Sequence, residues 1–211
     1  MSLPKGFFSG SVAAGLKSSG ALDLTIIQNQ GPQYFGTAVY TTNKVVAAPV
    51  IWSRQVTKGE VVSAVILNSG GANACTGPQG FADTHKSAEL VAEKLNISPG
   101  EVVVCSTGLI GELLPMNKVE AGITAITLSE SGFENSAKAI MTTDSVPKMA
   151  TLEIKGAQIA GIAKGAGMLA PALATMLSVV MTDAIVDPNE ASAAFARAVE
   201  LTFNRIDSDG C

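Results

Sequence analysis

Short apolar runs rich in β-branched residues recur along the chain, and clusters of Gly, Pro, Asn and Ser separate them. Runs of this length between turn-forming residues are typical of β-strands. They predict strands over residues 24–27, 36–40, 44–50, 61–67, 101–105, 151–154 and 158–162. Lys155 and Gly156 separate the last two runs, and this pair predicts a hairpin turn.

Two other segments repeat apolar residues at the spacing of an α-helix. Residues 79–95 place apolar side chains every three to four positions, and His85 falls beside that stripe. A last helix is predicted after Asp187, which offers an N-cap, with Pro188 at the first helical position and an apolar face running to Ile206. Together these elements predict an α/β fold with much antiparallel pairing.

One long segment without charge raises the question of a membrane span. Residues 165–182 contain no charged side chain, which reaches the length of a candidate spanning helix. Gly165, Gly167 and Pro171 interrupt such a helix, and three hydroxyl side chains fall within the segment. We therefore expect a buried loop followed by a regular element, and no membrane partner.

Composition narrows the class of protein further. The chain has 211 residues, enough for one large domain or two small ones, and 47% of them are hydrophobic. With 14 Lys and Arg against 18 Asp and Glu, the net charge of −4 disfavours nucleic-acid and polybasic membrane partners. Charged residues make up 15%, against about 25% in typical soluble domains, so we expect part of the surface to be buried against another chain.

Cysteine and histidine usage argues against metal and disulfide sites. Cys75, Cys105 and Cys211 are scattered, which fits a reducing compartment and a cytoplasmic location. His85 is the only histidine, and its place beside an apolar stripe favours a structural or boundary role over a catalytic one. Glycines and a proline break the first ten residues, so no signal peptide is expected.

A glycine pattern supplies the first candidate for chemistry. Residues 165–170 match G-x-G-x-x-[GA], and Asp183 and Asp187 follow at about the distance of the dinucleotide-binding fingerprint. That fingerprint opens a helix, whereas Pro171 arrives here instead. The alternative interpretation is a set of glycines that permits a sharp turn and close backbone packing.

A threonine in the same segment supplies the second candidate. If the bond between Ala174 and Thr175 were cut, Thr175 would gain an α-amine of ordinary pKa ~7.7–8.0 that can serve as general base to its own hydroxyl. This chemistry needs no histidine; the alternative is a β-branched residue in a buried run. The third candidate is Thr107 with Gly108 after a predicted strand, where backbone N–H groups can approach an oxyanion. Cys105 beside them is interpreted as a buried hydrophobe.

Several blocks along the chain resemble, in order, those of the glutamate N-acetyltransferase/ornithine acetyltransferase family. The resemblance covers the whole chain. The blocks lie at residues 41–43, 47–50, 68–77, 106–111, 141–144, 164–171, 174–177 and 182–184.

This resemblance implies an enzyme of arginine biosynthesis with an α/β fold of sheets flanked by helices and a self-cleaving N-terminal-threonine architecture. It would move the acetyl group of N2-acetylornithine to glutamate through an acetyl-threonine, with acetyl-CoA as an additional donor, no other cofactor and no metal. Residues 1–174 would form an α-chain segment and residues 175–211 the start of a β chain. The two chains would stay associated, as a heterotetramer with two copies of each.

The resemblance also assigns roles to individual residues. Thr175 is the nucleophile and contacts substrate, Thr107 and Gly108 form the oxyanion hole, and Thr143 and Lys164 contact substrate. A cation at Lys164 could meet a substrate carboxylate; the alternative is an ordinary solvated lysine.

Two departures from the family pattern accompany the resemblance. Residues 171–173 read Pro-Ala-Leu in place of the family's commoner Pro-Asn-Met, and the block at residues 207–211 normally continues into about as much chain again. The alternative functions are a nucleotide-binding domain that uses residues 165–170 and a non-catalytic assembly subunit.

Overall fold

The chain forms two β-sheets with helices packed against them. A computed structural model describes residues 2–169 and 172–207. Short 3-10 turns at Thr57–Gly59, Pro99–Glu101 and Phe203–Arg205 accompany the main elements. In chain order these are β1 Phe7–Val12, β2 Leu24–Asn29, α1 Ala48–Val56, β3 Ala64–Asn68, α2 Gly77–Leu95, β4 Val102–Ser106, α3 Met116–Ala125, α4 Phe133–Ala139, β5 Lys148–Ile154, β6 Ala157–Lys164, β7 Leu177–Thr182 and α5 Pro188–Leu201.

The first sheet has four strands in the order β1-β2-β3-β4. β1, β2 and β3 are antiparallel, whereas β3 and β4 are parallel with Asn68 opposite Ser106. Parallel neighbours need a crossover connection, and α2 supplies it. The ends of β3 and β4 therefore meet at the same edge of the sheet.

Alternation along the strands of this sheet divides the core in two. Ile26 and Ile66 face one side, where they pack with residues of α2 and α3 such as Val91 and Ile123. The neighbours of those two strand residues face the other side and join a second cluster that includes α4 and the second sheet. That cluster contains Ile27, Leu67, Phe133, Ile140, Ile162 and Met181.

The second sheet has three antiparallel strands in the order β5-β6-β7. The predicted hairpin is confirmed: Lys155 and Gly156 join β5 to β6, with φ of 51° and 83°. Two successive positive φ values match the turn whose twist suits a two-residue hairpin. Most of β5 is exposed, while Ala160 and Ile162 of β6 are buried.

The predicted C-terminal helix is confirmed as α5. Asp187 caps it by accepting hydrogen bonds from the backbone N–H groups of Asn189 (2.9 Å) and Glu190 (3.0 Å). Val199 on this helix is buried, but the helix ends at Leu201 and Ile206 is exposed. The apolar face is therefore shorter than predicted.

The other predicted helix is also confirmed, as α2, and its buried face includes part of the predicted apolar stripe together with polar residues beside it. Thr84 and Ser87 are buried beside Ala88 and Val91, whereas His85 is exposed. The His85 ring lies 4.9 Å from that of Trp52, as expected of a boundary histidine.

Two of the predicted strands are wrong. Residues 36–40 form no strand, and residues 44–50 lead into α1, where Pro49 fits the first turn because the N–H it lacks would have no helical partner. The predicted strand at residues 61–67 begins later, at Ala64.

Four elements were not predicted: β1, α1, α3 and α4, whereas β7 was expected only as a regular element of unstated type. Gly10 in β1 resembles a strand breaker, yet a Cβ there would lie 2.2 Å from the carbonyl oxygen of Thr127, so close packing requires glycine.

The uncharged segment at residues 165–182 is a loop followed by β7, as expected, apart from residues 170 and 171, which lie outside the described residues. The expected burial of the loop is wrong in part, because Met168 and Thr175 are exposed while Leu169 and Ala174 are buried. None of the helices in the described ranges has the length and apolar character of a membrane span. Cys75 and Cys105 are free thiols; Cys211 lies outside the described residues.

Candidate active site

The edge where β3 and β4 end carries the first part of the site. Asn68 accepts a hydrogen bond from the backbone N–H of Thr107 at 3.0 Å, and its side-chain amide donates to Ser106 Oγ at 2.6 Å. Its Oδ1 accepts from the N–H groups of Gly70 and Gly71, each at 3.3 Å. One asparagine therefore holds the two loops that follow the parallel strands.

Gly108 occupies a position that other residues cannot share. Its φ is +126°, and a Cβ there would lie 2.9 Å from the backbone nitrogen of Gly71. Both the conformation and the close approach require glycine. Gly108 is exposed while Thr107 beside it is buried, so the polypeptide emerges from the sheet at this point.

Lys164, the last residue of β6, links the two sheets at the site. Its Nζ donates hydrogen bonds to Thr107 Oγ1 at 3.2 Å and to the carbonyl oxygen of Thr175 at 3.1 Å. The residue is only 3% exposed, which rules out a solvated surface lysine. The Lys164 amine thus lies within hydrogen-bond distance of two other predicted site residues, Thr107 and Thr175.

Burial lowers the pKa of Lys164, because the charged form loses its water. The negative charge of Asp144 opposes this effect, and the positive charges of Lys148 and Lys17 reinforce it. The protonation state of Lys164 therefore depends on these three charged neighbours.

The hydrogen bond from Lys164 also orients Thr107. A hydroxyl has one hydrogen and two acceptor lone pairs. Since Lys164 Nζ fills one lone pair of Thr107 Oγ1, the hydroxyl hydrogen of Thr107 stays available as a donor. A buried hydroxyl oriented in this way can donate to an oxyanion.

Thr175 lies in a loop with unusual backbone conformations. Its φ is +49°, and Met168 and Leu173 have φ of 55° and 62°. The left-handed region is sparsely populated by non-glycine residues and is strained for a β-branched one. Thr175 is exposed, and its Oγ1 lies 2.9 Å from the carbonyl oxygen of Met168 and 3.1 Å from that of Gly167.

Thr143 lies in the loop that precedes β5 and is exposed. The next residue, Asp144, is buried and accepts a hydrogen bond from the backbone N–H of Gly165 at 3.0 Å. This bond brings the Thr143 loop to the end of β6, directly beside Lys164. Thr143 therefore lies at the same edge as the other predicted site residues.

Asp144 itself was not predicted as a site residue. Burial alone would raise its pKa, but hydrogen bonds from Lys148 and from the N–H groups of Gly165 and Thr142 lower it to about 2. Asn68 was missed as well. Both residues lie in sequence blocks that carry the family resemblance, yet their burial and partners depend on contacts distant in sequence.

The remaining sequence candidates lie outside this constellation. Burial raises the pKa of the Cys105 thiol to about 12, so it stays protonated and is no nucleophile. Residues 165–169 form no helix, unlike the dinucleotide fingerprint, and position 170 of that pattern lies outside the described residues. Within residues 2–169 and 172–207, no cluster of three or more potential metal ligands occurs.

An apolar cavity of about 410 Å³ adjoins the site. Its lining includes Ser106 and Met176, the neighbours of Thr107 and Thr175 in sequence. Aromatic side chains from a loop and from α5, among them Phe35, Tyr40 and Phe195, also line it. The site therefore lies beside a sizeable apolar cleft.

Comparison with known proteins agrees with the resemblance seen in the sequence. The ArgJ family model matches residues 9–211. The arginine biosynthesis bifunctional protein ArgJ of Streptomyces avermitilis is 54% identical over 209 residues, which is 98% of this chain and 55% of that protein. The corresponding protein of Thermobifida fusca is 52% identical over 210 residues, with 99% and 55% coverage. The chain thus spans about half the length of these relatives.

Solved structures give the same result. Ornithine acetyltransferase of Mycobacterium tuberculosis, solved as a complex with ornithine, matches with a TM-score of 0.70 and 47% identity over 81% of this chain and 94% of that one. The ArgJ protein of Bacillus halodurans matches with a TM-score of 0.74 and 35% identity over 84% and 97%. The predicted α/β fold with sheets flanked by helices is confirmed, and the chain belongs to the ArgJ family.

Proposed function

We propose that this chain carries the nucleophile and oxyanion hole of an acetyltransferase that moves the acetyl group of N2-acetylornithine to L-glutamate. The observation that carries the proposal is the position of Lys164 Nζ, which bridges Thr107 Oγ1 and the carbonyl oxygen of Thr175. The residue that carries the proposed nucleophile and the proposed oxyanion donor are thereby held by the same ammonium group. The ornithine acetyltransferase of M. tuberculosis, a relative of known structure, supplies the substrate class.

The first step in this proposal is self-cleavage. Thr175 Oγ attacks the carbonyl carbon of Ala174, the peptide C–N bond breaks, and the resulting ester is hydrolysed by water. The products are residues 1–174 and a second chain that begins at Thr175 with a free α-amine. The left-handed backbone at Leu173 and Thr175 supports this step, because strain in the uncut loop is relieved by the cut.

Acetyl transfer then uses the new amine as general base. It takes the proton of Thr175 Oγ as that oxygen attacks the acetyl carbonyl carbon. Negative charge develops on the acetyl oxygen, where the Thr107 hydroxyl and the Gly108 N–H would donate hydrogen bonds. Ornithine leaves with the proton, and the amine of glutamate attacks the acetyl-threonine to regenerate Thr175. Acetyl-CoA can deliver the same acetyl group to Thr175 in this scheme, and the chemistry requires no metal.

Lys164 and Thr143 are proposed to contact the amino-acid substrates. An ammonium group has three hydrogens. Within the described contacts, Lys164 donates two of them to Thr107 and Thr175, which leaves one for the carboxylate that N2-acetylornithine and glutamate share. Thr143, exposed at the same edge, offers a hydroxyl to the same substrates.

The proposed association of the chains rests on strand pairing, and the proposed copy number and cellular location rest on composition. Residues 1–174 and the chain that begins at Thr175 stay associated, because β6 and β7 pair across the cut. We propose two copies of each chain in a cytoplasmic enzyme, which fits the low charge content and the free thiols of Cys75 and Cys105.

The alternative functions fit the structure less well. A nucleotide-binding loop needs a helix near Gly167, and residues 165–169 form none. A non-catalytic assembly subunit would bury Thr175 away from any cleft, whereas Thr175 is exposed and the next residue, Met176, lines the cavity.

Intact-mass analysis tests the processing step. The full-length protein should give two chains that separate between Ala174 and Thr175, and N2-acetylornithine should add one acetyl group to the second. Thr175→Ala should remain one uncut chain, because the attacking hydroxyl is gone. Thr182→Ala in β7 is the matched control and should be cut normally. A break elsewhere, or cleavage of Thr175→Ala, would remove the basis of the mechanism.

A further inference from the structure

A buried carboxylate lies at the junction of the two segments that carry Thr143 and Lys164. The side chain of Asp144 has no exposed surface. Its Oδ1 accepts from the backbone N–H of Gly165 at 3.0 Å, and its Oδ2 accepts from that of Thr142 at 3.1 Å. Asp144 therefore holds the backbone directly before Thr143 and directly after Lys164.

One ammonium group pairs with this carboxylate, and its negative charge affects two more. Lys148 forms an ion pair with Asp144, and the charge of Asp144 favours the protonated forms of Lys164 and Lys17. Lys17 Nζ donates to the carbonyl oxygen of Met141 at 2.7 Å, which holds the start of the Thr143 loop. Asp144 thus supplies the negative charge that favours protonated Lys164, whereas the positive charges of Lys148 and Lys17 disfavour it.

We propose that Asp144 is a positioning residue that fixes the turn at Gly165 and holds the charged Lys164 side chain between Thr107 and Thr175. A lysine side chain is long and flexible, so its direction is fixed only when both its backbone and its ammonium group are held. The hydrogen bond to Gly165 fixes the backbone directly after Lys164, and the carboxylate attracts the ammonium group itself. The kinetic consequences rest on the proposed acetyl transfer, but the effect on Lys164 does not.

Two substitutions should move the protonation of Lys164 in opposite directions. Asp144→Asn keeps an acceptor oxygen for the Gly165 N–H but removes the charge, so the pKa of Lys164 should fall. Lys148→Met removes a repelling charge, so the pKa of Lys164 should rise. The Lys148 side chain is 45% exposed, so its replacement should leave the fold intact. General loosening of the structure would not produce shifts of opposite sign.

NMR of protein labelled with 15N at the lysine side chains measures this titration, with Lys164→Arg to assign the signal. Asp183→Asn is the matched control. Asp183 also accepts backbone N–H bonds, from Gln158 at 2.7 Å and Lys5 at 3.1 Å, but it lies at the other end of β6. Its replacement should leave the Lys164 titration unchanged.

A second readout is the pH profile of kcat/KM for acetyl transfer, whose basic limb should shift with the same signs. Opposite NMR shifts in a protein without acetyl transfer would support the role of Asp144 and contradict the proposed function. An unmoved Lys164 titration, or shifts of the same sign in both variants, would overturn the role of Asp144. If Asp144→Asn fails to fold, Asp144→Glu, which keeps the charge but displaces it by one methylene, takes its place, and an unmoved Lys164 titration in that variant would overturn the role of Asp144.

Discussion

The two sheets differ in how deeply they are buried and in what they contribute to the site. In the four-stranded sheet, β2 and β3 are buried along nearly their whole length. In the three-stranded sheet, β5 is exposed along nearly its whole length. Thr107 and Gly108 follow the first sheet, whereas Lys164 ends β6 of the second sheet and Thr175 lies in the loop between β6 and β7.

This division matches the demands of the two proposed roles. Oxyanion donors act best when they are fixed before the reaction, which a buried sheet edge provides. A nucleophile made by cleavage lies on a segment that must rearrange, and the exposed left-handed loop around Thr175 allows it. Lys164 joins the two parts, so the site depends on a contact between a rigid half and an adaptable half.

The largest expected difference between the sheets is in stability. Ile66→Ala in β3 removes a side chain that is 2% exposed and should lower the free energy of unfolding by about 2–5 kcal/mol. Leu152→Ala in β5, where the side chain is 56% exposed, should change it by less than about 0.5 kcal/mol. Urea titrations measure both values. Equal losses would show that the two sheets are equally buried in solution, for example by association of β5 with another chain.

Thr107→Ala tests the rigid half of the site. It removes the proposed oxyanion donor, which would act on charge that develops only in the transition state, so kcat should fall by about 10²–10³ with KM little changed. Steady-state kinetics of acetyl transfer measure both values. Thr182→Ala, which removes the same hydroxyl group from β7, is the control. A normal kcat with a raised KM would assign Thr107 to ground-state binding instead.

Sequence reasoning succeeded where the signals were local. The turn at Lys155 and Gly156 and the cap at Asp187 each rest on a few adjacent residues. β1 was missed because the need for Gly10 comes from Thr127, far along the chain. Predicted strands at residues 36–40 and 44–50 failed because apolar runs do not distinguish strands from buried loops or helix starts.

The same distinction applies to the candidate site. The family resemblance named Thr107, Lys164 and Thr175, and the structure brings them together through Lys164. Asp144 was missed, because its importance comes from Gly165 and Lys164, which approach it only in the folded chain. Charge partners across a sheet edge leave no local pattern in the sequence.

Lys164→Met tests the link between the two halves. A hydrogen bond from an ammonium to a carboxylate contributes roughly 1.5–3 kcal/mol, so KM for N2-acetylornithine and for glutamate should each rise by about one to two orders of magnitude. Cleavage at Ala174 and Thr175 should persist in the folded variant. Lys155→Met, in the exposed hairpin turn, is the control and should leave both KM values unchanged. Normal binding of both substrates to the processed Lys164→Met protein would restrict Lys164 to a structural role.

The smallest expected effect is a loss of folding stability in acid that depends on Asp144, which lies where the two sheets meet. Burial would raise its pKa, but hydrogen bonds from Lys148, Gly165 and Thr142 hold it at about 2, below the ordinary 3.8. A carboxyl whose pKa is lower in the folded state stabilises the fold above its unfolded pKa and loses that contribution as pH falls. The contribution, at most about 2.5 kcal/mol before screening by solvent, should therefore be nearly complete above pH ~4 and largely disappear towards pH ~2.

Urea unfolding of the wild-type protein and of Asp144→Asn across this pH range measures that contribution. The stability difference between the two proteins should be constant near neutral pH and shrink between pH ~4 and pH ~2, because protonation then removes the charge that the variant already lacks. Lys148→Met sharpens the result: without the Lys148 hydrogen bond the pKa of Asp144 in the folded protein rises towards its unfolded value, so the loss should be smaller and should end at higher pH. A difference that stays constant down to pH ~2 would mean that the carboxylate is held by packing alone and carries no charge-dependent contact to the end of β6.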